Sequence, residues 1–297
     1  MSFRCAAASL ERDEPMAGTA STVRAFLLVE HPGPWGIDAP RDARLPDGLG
    51  EELSRRSAAA KVRALLVRRP RGGSKGATGV RVFAGYAHRD RPWLETTVLD
   101  DIHGIHDLDV EALGAGRSTG LTPHDGPVLA VCTHGRHDTC CAERGRPAVA
   151  ALLERHAEQT WEVSHIGGDR YAANMLVLPW GFYYGRLDAI AAPAVADALL
   201  AGEVELDHLR GRSSLALPLQ AAEIALRRHL DEHRLDAVRF VSRSGAGDRT
   251  DAVFDVAGSA YSVAVRSTRS SDLHRLTCRA VRENPVMEQT VLEIRPA

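Results

Sequence analysis

Lysine is almost missing from this chain: Lys61 and Lys75 are the only lysines among 297 residues, and arginine carries nearly all the positive charge. No basic block stands out and the formal net charge is −2, so a nucleic-acid partner is not expected. No apolar run approaches the length of a membrane-spanning helix. The opening residues, MSFRCAAASLERDEPMAG, are acidic where a secretion signal needs an apolar stretch. The chain therefore reads as cytoplasmic, with no membrane association. No low-complexity segment, evident internal repeat or C-x-x-C at a helix start is found. The glycines at 32–34 and 245–247 are not followed by helix starts at phosphate-loop spacing, so they read as turns.

Cysteine is scarce too. Of five cysteines, Cys132, Cys140 and Cys141 fall in CTHGRHDTCCAERGRP (132–147), while Cys5 and Cys278 stand at the two ends. Thiols in a reducing compartment stay reduced, so a cysteine cluster points to a metal or catalytic site rather than to a structural disulfide. The rest of the composition, 44% apolar and 26% charged, is that of a globular protein whose length suggests two domains. The arginine bias and abundant alanine suggest a GC-rich bacterial genome and carry no mechanism.

The hydrophobic pattern gives an α/β chain. A strand over 24–30 ends at a Pro/Gly turn; a helix over 50–61, a strand over 62–70, a flexible loop over 71–79, two further strands and a short helix over 107–116 follow. The second half starts again. A buried-type strand over 126–134 delivers Cys132, a helix over 145–156 has Pro147 in its first turn, and a strand over 161–165 ends at His165. A glycine loop, a hairpin over 174–187 and a helix over 191–202 complete it. This order matches a thioredoxin-like core, and the first half reads as a degenerate copy. After a helix over 219–235 come five alternating segments, AVRFVSR, DAVFDVA, AYSVAVRS, HRLTCRA and EQTVLEIR, read as strands of a small sheet. The expected division is 1–121, 122–207 and 208–297.

Thiolates are soft ligands suited to zinc, copper(I) and iron–sulfur clusters. Further ligands must come from elsewhere, and SHIGGDRYAAN (164–174) is the best source. His165 follows a strand and Asp169 lies four residues on, across two glycines that let the backbone turn tightly and both side chains face one point. Both loops follow the C-terminal ends of strands, where α/β folds commonly place their sites.

VCTHGRHDTCC followed by WEVSHIGGDRYAANMLVLPWGFYYGRL resembles the sucrase/ferredoxin-like family, the thioredoxin-like ferredoxins. CAAASLERDEPMAGTA, FLLVEHPGPWG and RGRSSLALPLQAAE are similar to segments of its bacterial members. Fungal and plant members carry a CxHGxRDxxC stretch and a later HxGGH loop, whose two Cys and two His hold a [2Fe-2S] cluster. The resemblance implies Cys132 and Cys141 as the thiolates, with Cys140 the immediate competitor of Cys141, and His165 as the first imidazole. Asp169 stands where the family has its second histidine. As a ligand it would be harder and anionic, favouring the oxidised cluster; otherwise Cys140, water or nothing completes the site and the cluster is labile or absent. The sugar hydrolysis in the family's name finds no carboxylate-pair signature here.

His134, His137 and Asp138 read as turn or supporting residues, with His137 a substitute ligand. Cys5 and Cys278 have no partner at metal spacing and read as ordinary small residues. Trp180, Tyr183 and Tyr184 read as packing. The expected function is electron transfer to an unidentified redox partner protein. The competitors are a thiol oxidoreductase built on Cys132 with Cys140 or Cys141, and a zinc-binding or cluster-free module.

Overall fold

In the computed structural model, residues 2–70 and 79–297 are described. The flexible loop read over 71–79 lies outside them except for Gly79. Strands β1 (Ala25–Glu30), β2 (Val62–Arg68), β3 (Val80–Tyr86), β4 (Trp93–Leu99) and β5 (Thr122–Pro123) come from the first part of the chain. Strands β6 (Val128–Cys132), β7 (Thr160–Val163), β8 (Met175–Leu178), β9 (Phe182–Tyr184) and β10 (Leu209–Arg212) follow. Among the described residues these ten form one mixed sheet in the order β10-β9-β8-β6-β7-β2-β1-β3-β4-β5.

The order reads the same from both edges toward the centre. β1 runs parallel to β2 and antiparallel to β3, which pairs with β4. β6, β7, β8 and β9 repeat that arrangement. A parallel pair needs a crossover, supplied by helix α2 (Leu49–Ala59) in one half and α4 (Thr139–Leu153) in the other. The halves meet where β2 and β7 pair antiparallel at Val67↔Val163 and Arg68↔Glu162. At that seam the Arg68 Nε donates to Glu162 at 2.8 Å, and the Thr133 hydroxyl donates to the same carboxylate at 2.7 Å.

Strands sandwiched between layers read as continuous apolar runs, and β6 is buried at every position. One face of the second half packs α4 and α5 (Ala191–Leu200) over Leu129, Val177 and Phe182. The other face surrounds Cys132 and Cys141 with Phe26, Trp161, Val163 and Ile166.

Helix α6 (Leu217–Leu230) leads to a second sheet, β11 (Val238–Ala246), β12 (Arg249–Val256), β13 (Ser259–His274) and β14 (Asn284–Pro296), antiparallel throughout. Leu219 and Leu226 of α6 pack on Phe254, Val263 and Val265 of that sheet. Toward the large sheet, Gln220 accepts from the Ala20 N–H at 3.0 Å and donates to the Ala20 and Leu215 carbonyls at 3.1 and 2.9 Å. Among the described residues no helix is long and apolar enough to cross a membrane.

Two sequence readings are corrected. Helix α4 starts at Thr139, not near 145, because the Asp138 side chain caps it by accepting from the Cys140 N–H at 2.9 Å; Pro147 sits inside the helix. HRLTCRA is not a strand. β13 ends at His274, and the Arg275 side chain closes the following turn by donating to the Ala280 carbonyl at 2.9 Å. Helix α1 (Cys5–Glu11) has no counterpart among the expected elements, whereas α3 (Val110–Gly114) lies within the short helix expected over 107–116.

Candidate functional site

The cysteines owe their positions to one strand end and one helix cap. β6 ends at Cys132, and the Asp138 cap puts Cys140 and Cys141 in the first turn of α4. Neighbouring helix residues project about 100° apart, so the two thiols cannot face one point. Cys141 faces β6. Gly145, one turn later on the same side, lets the helix come close, since a Cβ there would run into the Cys132 carbonyl. Cys140 faces away, toward α1, and packs with Cys5, Ala6 and Ala172.

On the first side, the Cys141 thiol donates to Asp169 Oδ1 at 3.3 Å and packs in one buried cluster with Cys132. The neighbouring Cys141, together with the His134 N–H, draws the Cys132 thiol down against its burial, while Cys132 and burial push Cys141 up. His165 Nδ1 lies 2.9 Å from Asp169 Oδ1, yet without the alignment of a hydrogen bond, so this buried nitrogen has no partner. Burial works to lower the His165 pKa, and the Asp169 carboxylate raises it by more. Burial works to raise the Asp169 pKa, and His165, His137 and Cys141 hold it below the ordinary carboxylate value. His137 stacks on His165 with ring centroids 3.7 Å apart. Its Nδ1 donates to the Ile37 carbonyl at 3.0 Å, and its Nε2 lies 3.8 Å from Asp169 Oδ2.

Of the four sequence-derived site residues, Asp169 thus lies 2.9 Å from His165 Nδ1 and 3.3 Å from the Cys141 sulfur, and Cys132 packs in the same buried cluster as Cys141; the metal-capable group here is His137, His165 and Asp169, which neither cysteine joins. Cys132, Cys141 and Asp169 are 1%, 1% and 3% exposed. His134 is spent at both nitrogens, donating to the Gly36 carbonyl at 2.9 Å and accepting from the His165 N–H at 3.2 Å. It positions the loop and has no free nitrogen for a metal, and burial foremost lowers its pKa. The exposed edge of the histidines opens into a cavity of about 190 Å³ lined by Ile37, Asp38, Arg63, His134, His137 and His165, among others.

The glycine loop is held from below by residues that sequence reasoning missed. Gly167 and Gly168 have φ of +96° and +82°, a conformation that favours glycine. Arg210, fully buried on β10, donates to the Gly167 carbonyl at 3.0 Å, Asn174 Oδ1 at 2.7 Å and the Thr19 carbonyl at 2.6 Å. A Cβ on Gly168 would collide with that guanidinium. Asn174 returns a hydrogen bond to the Gly168 carbonyl at 2.8 Å. In the sequence Arg210 is only the first residue of RGRSSLALPLQAAE, a segment that resembles the family's but carries no site pattern.

On the second side the structure overturns the reading of Cys5 and Cys278 as isolated residues. Cys140 Sγ lies 3.3 Å from Cys278 Sγ, which lies 3.5 Å from Cys5 Sγ. Both Asp138 carboxylate oxygens lie 3.6 Å from Cys5 Sγ. The three cysteines are free thiols. The Cys5 thiol, with the Ala6 N–H and Cys278, draws Cys140 down to about 6 against its burial. Burial foremost pushes Cys278 up to about 11.

Two groups of metal-capable side chains stand out among the described residues, Cys5–Asp138–Cys140–Cys278 and His137–His165–Asp169. The family model described as sucrase/ferredoxin-like matches residues 16–211, and the chain belongs to that family. No curated protein and no solved structure matches it.

Proposed function

We propose that this sucrase/ferredoxin-like chain is a [2Fe-2S] electron-transfer protein, its cluster held by Cys132, Cys141, His165 and Asp169. The carrying observation is the buried His165 Nδ1, which has no hydrogen-bond partner although it lies 2.9 Å from the Asp169 carboxylate, whose same oxygen accepts from the buried Cys141 thiol. Unpaired buried nitrogen is costly, and a metal would use it. Thiolates and imidazole are the donor set of iron–sulfur centres. The cluster, when bound, supplies one-electron transfer. Cys132 and Cys141 supply burial and soft charge, which the N–H of His134 already helps to hold. Asp169 adds a third negative charge, favouring the oxidised state. Arg210 and Asn174 fix the loop, and the half-buried histidines face the cavity through which a partner protein would approach.

The repeated strand order supports two tandem thioredoxin-like halves, expected over 1–121 and 122–207, but β10 extends the second half past 207, so the C-terminal helix-and-sheet module expected over 208–297 starts with α6. A thiol oxidoreductase at this site would need an accessible thiolate, and both cysteines are 1% exposed.

A second reading rests on His137. Its Nδ1 bond to the Ile37 carbonyl fixes the tautomer whose Nε2 lone pair is free, a pattern common in metal-bound histidine. His137 would then restore a two-cysteine, two-histidine set, leaving Asp169 outside the ligands as a charged neighbour of His165 and His137. The test of the main reading is iron and acid-labile sulfide in anaerobically purified protein, with the electron paramagnetic resonance of the reduced sample. Iron and sulfide in equal amounts with a single-electron signal are expected; protein free of both sinks the proposal.

A further inference from the structure

We propose that Cys5, Cys140 and Cys278, with Asp138, form a second metal centre, a structural zinc site tying both ends of the chain to helix α4. The inference does not depend on the iron–sulfur reading, since it shares no ligand with it.

The donor atoms lie within 4.8 Å of one another, a span that one ion can fill. A tetrahedral zinc with Zn–S bonds of about 2.3 Å holds its sulfurs about 3.8 Å apart. The sulfurs here are at 3.3 and 3.5 Å, so the pocket would need to open by only a few tenths of an ångström. Disulfide chemistry does not account for the arrangement, because a bond between two of the sulfurs leaves the third without a partner. Cys5, Cys140 and Asp138 are 0%, 2% and 0% exposed, and Cys278 closes the outer side.

Asp138 is suited to the fourth place. It accepts one N–H on each oxygen, from Cys140 at 2.9 Å and from Cys278 at 2.6 Å. A carboxylate has lone pairs to spare after two such bonds, and both oxygens already approach the Cys5 sulfur. Three thiolates and one carboxylate carry the same charge as the four-cysteine set of many structural zinc sites. Softness selects zinc over magnesium or calcium, and one tetrahedral set of donors suits one ion better than a two-iron cluster.

The placement says what the ion would do. Cys5 starts α1, Cys140 lies in α4 and Cys278 lies in the turn between β13 and β14. Cys5 and Cys278 are 273 residues apart in sequence. The unfolded chain has no such site, so zinc affinity would add directly to folding stability.

The full chain, expressed with zinc and purified under reducing conditions, should hold about one zinc that survives gel filtration. Cys5→Ser and Cys278→Ser should each lose it and melt at lower temperature while keeping wild-type iron and sulfide; Cys132→Ser should keep zinc. Should the serine variants fail to fold, cobalt(II) exchanged into the wild-type protein should give the intense bands of tetrahedral coordination with sulfur-to-metal charge transfer from three thiolates. Zinc bound through Cys5 in a protein free of iron supports this centre and sinks only the earlier proposal. Zinc-free wild-type protein, a Cys140–Cys278 disulfide found by mass spectrometry, or iron lost together with zinc in Cys5→Ser each overturns the inference.

Discussion

The two sides of the first turn of α4 are assembled at different ranges. On the Cys141 side every donor lies between residues 132 and 169, on loops that follow β6 and β7 in one half of the sheet. On the Cys140 side the donors come from residues 5, 138, 140 and 278, and meet only when both ends of the chain have docked. The family match over 16–211 takes in the whole of the first group and leaves Cys5 and Cys278 outside. Adjacent residues of one helix can thus serve unrelated centres, because a helix turns them to different faces.

The largest effect that would sharpen this contrast is expected at Asp169. Asp169→Asn keeps the shape and removes the anionic ligand, so it should lose most of its iron, read by metal analysis against protein concentration. His137→Ala should keep the cluster, with retention weakened about tenfold as for a supporting residue. The reverse pattern would assign the ligand to His137 and make Asp169 its support.

Arg210→Met comes next. It strips the donor from the Thr19 and Gly167 carbonyls and from Asn174 inside a buried site. A loss of about 3 kcal/mol in urea unfolding is expected, the scale for buried acceptors left without partners. If stability is unchanged, the glycine loop does not depend on this support and the first side is held by its own backbone.

How much of this was legible in the sequence follows the same division. Strands such as FLLVE and VLAVC are apolar runs that announce themselves, and the two glycines after His165 turn the loop so that Asp169 comes to 2.9 Å from its ring. Helix α4 was placed late because Pro147 looks like a first turn, while the true start is set by one capping bond from Asp138. β10 escaped notice because LRGR is polar, and its burial rests on partners far away, Asn174 for Arg210 and Glu223 for Arg212. HRLTCRA looks like a strand, yet its Cys278 N–H is used by Asp138 and not by a sheet neighbour. Spacing along the chain reports local geometry; it is silent on contacts 273 residues apart.

A smaller effect concerns the segment that carries α1 to the core. Glu14 is 7% exposed and accepts from Arg170 at 2.6 Å and from the Tyr171 hydroxyl at 2.8 Å. Burial works to raise its pKa, but Arg170 and these hydrogen bonds lower it below the ordinary 4.5. A carboxylate depressed in the folded state gives stability that is present above 4.5 and lost as pH falls toward its folded value. Glu14→Gln should therefore be less stable at neutral pH and show a shallower loss of stability below pH 4.5 than the wild type, read by urea midpoints across that range. Equal slopes would mean that other carboxylates dominate the acid limb.

The most direct test of the division itself is iron, sulfide and zinc measured side by side in Cys140→Ser and Cys141→Ser. Cys141→Ser should lose iron and sulfide and keep zinc, whereas Cys140→Ser should lose zinc and keep iron and sulfide. Iron lost equally from both variants, or retained in Cys141→Ser and lost from Cys140→Ser, would contradict the assignment of the two neighbouring thiols to separate centres.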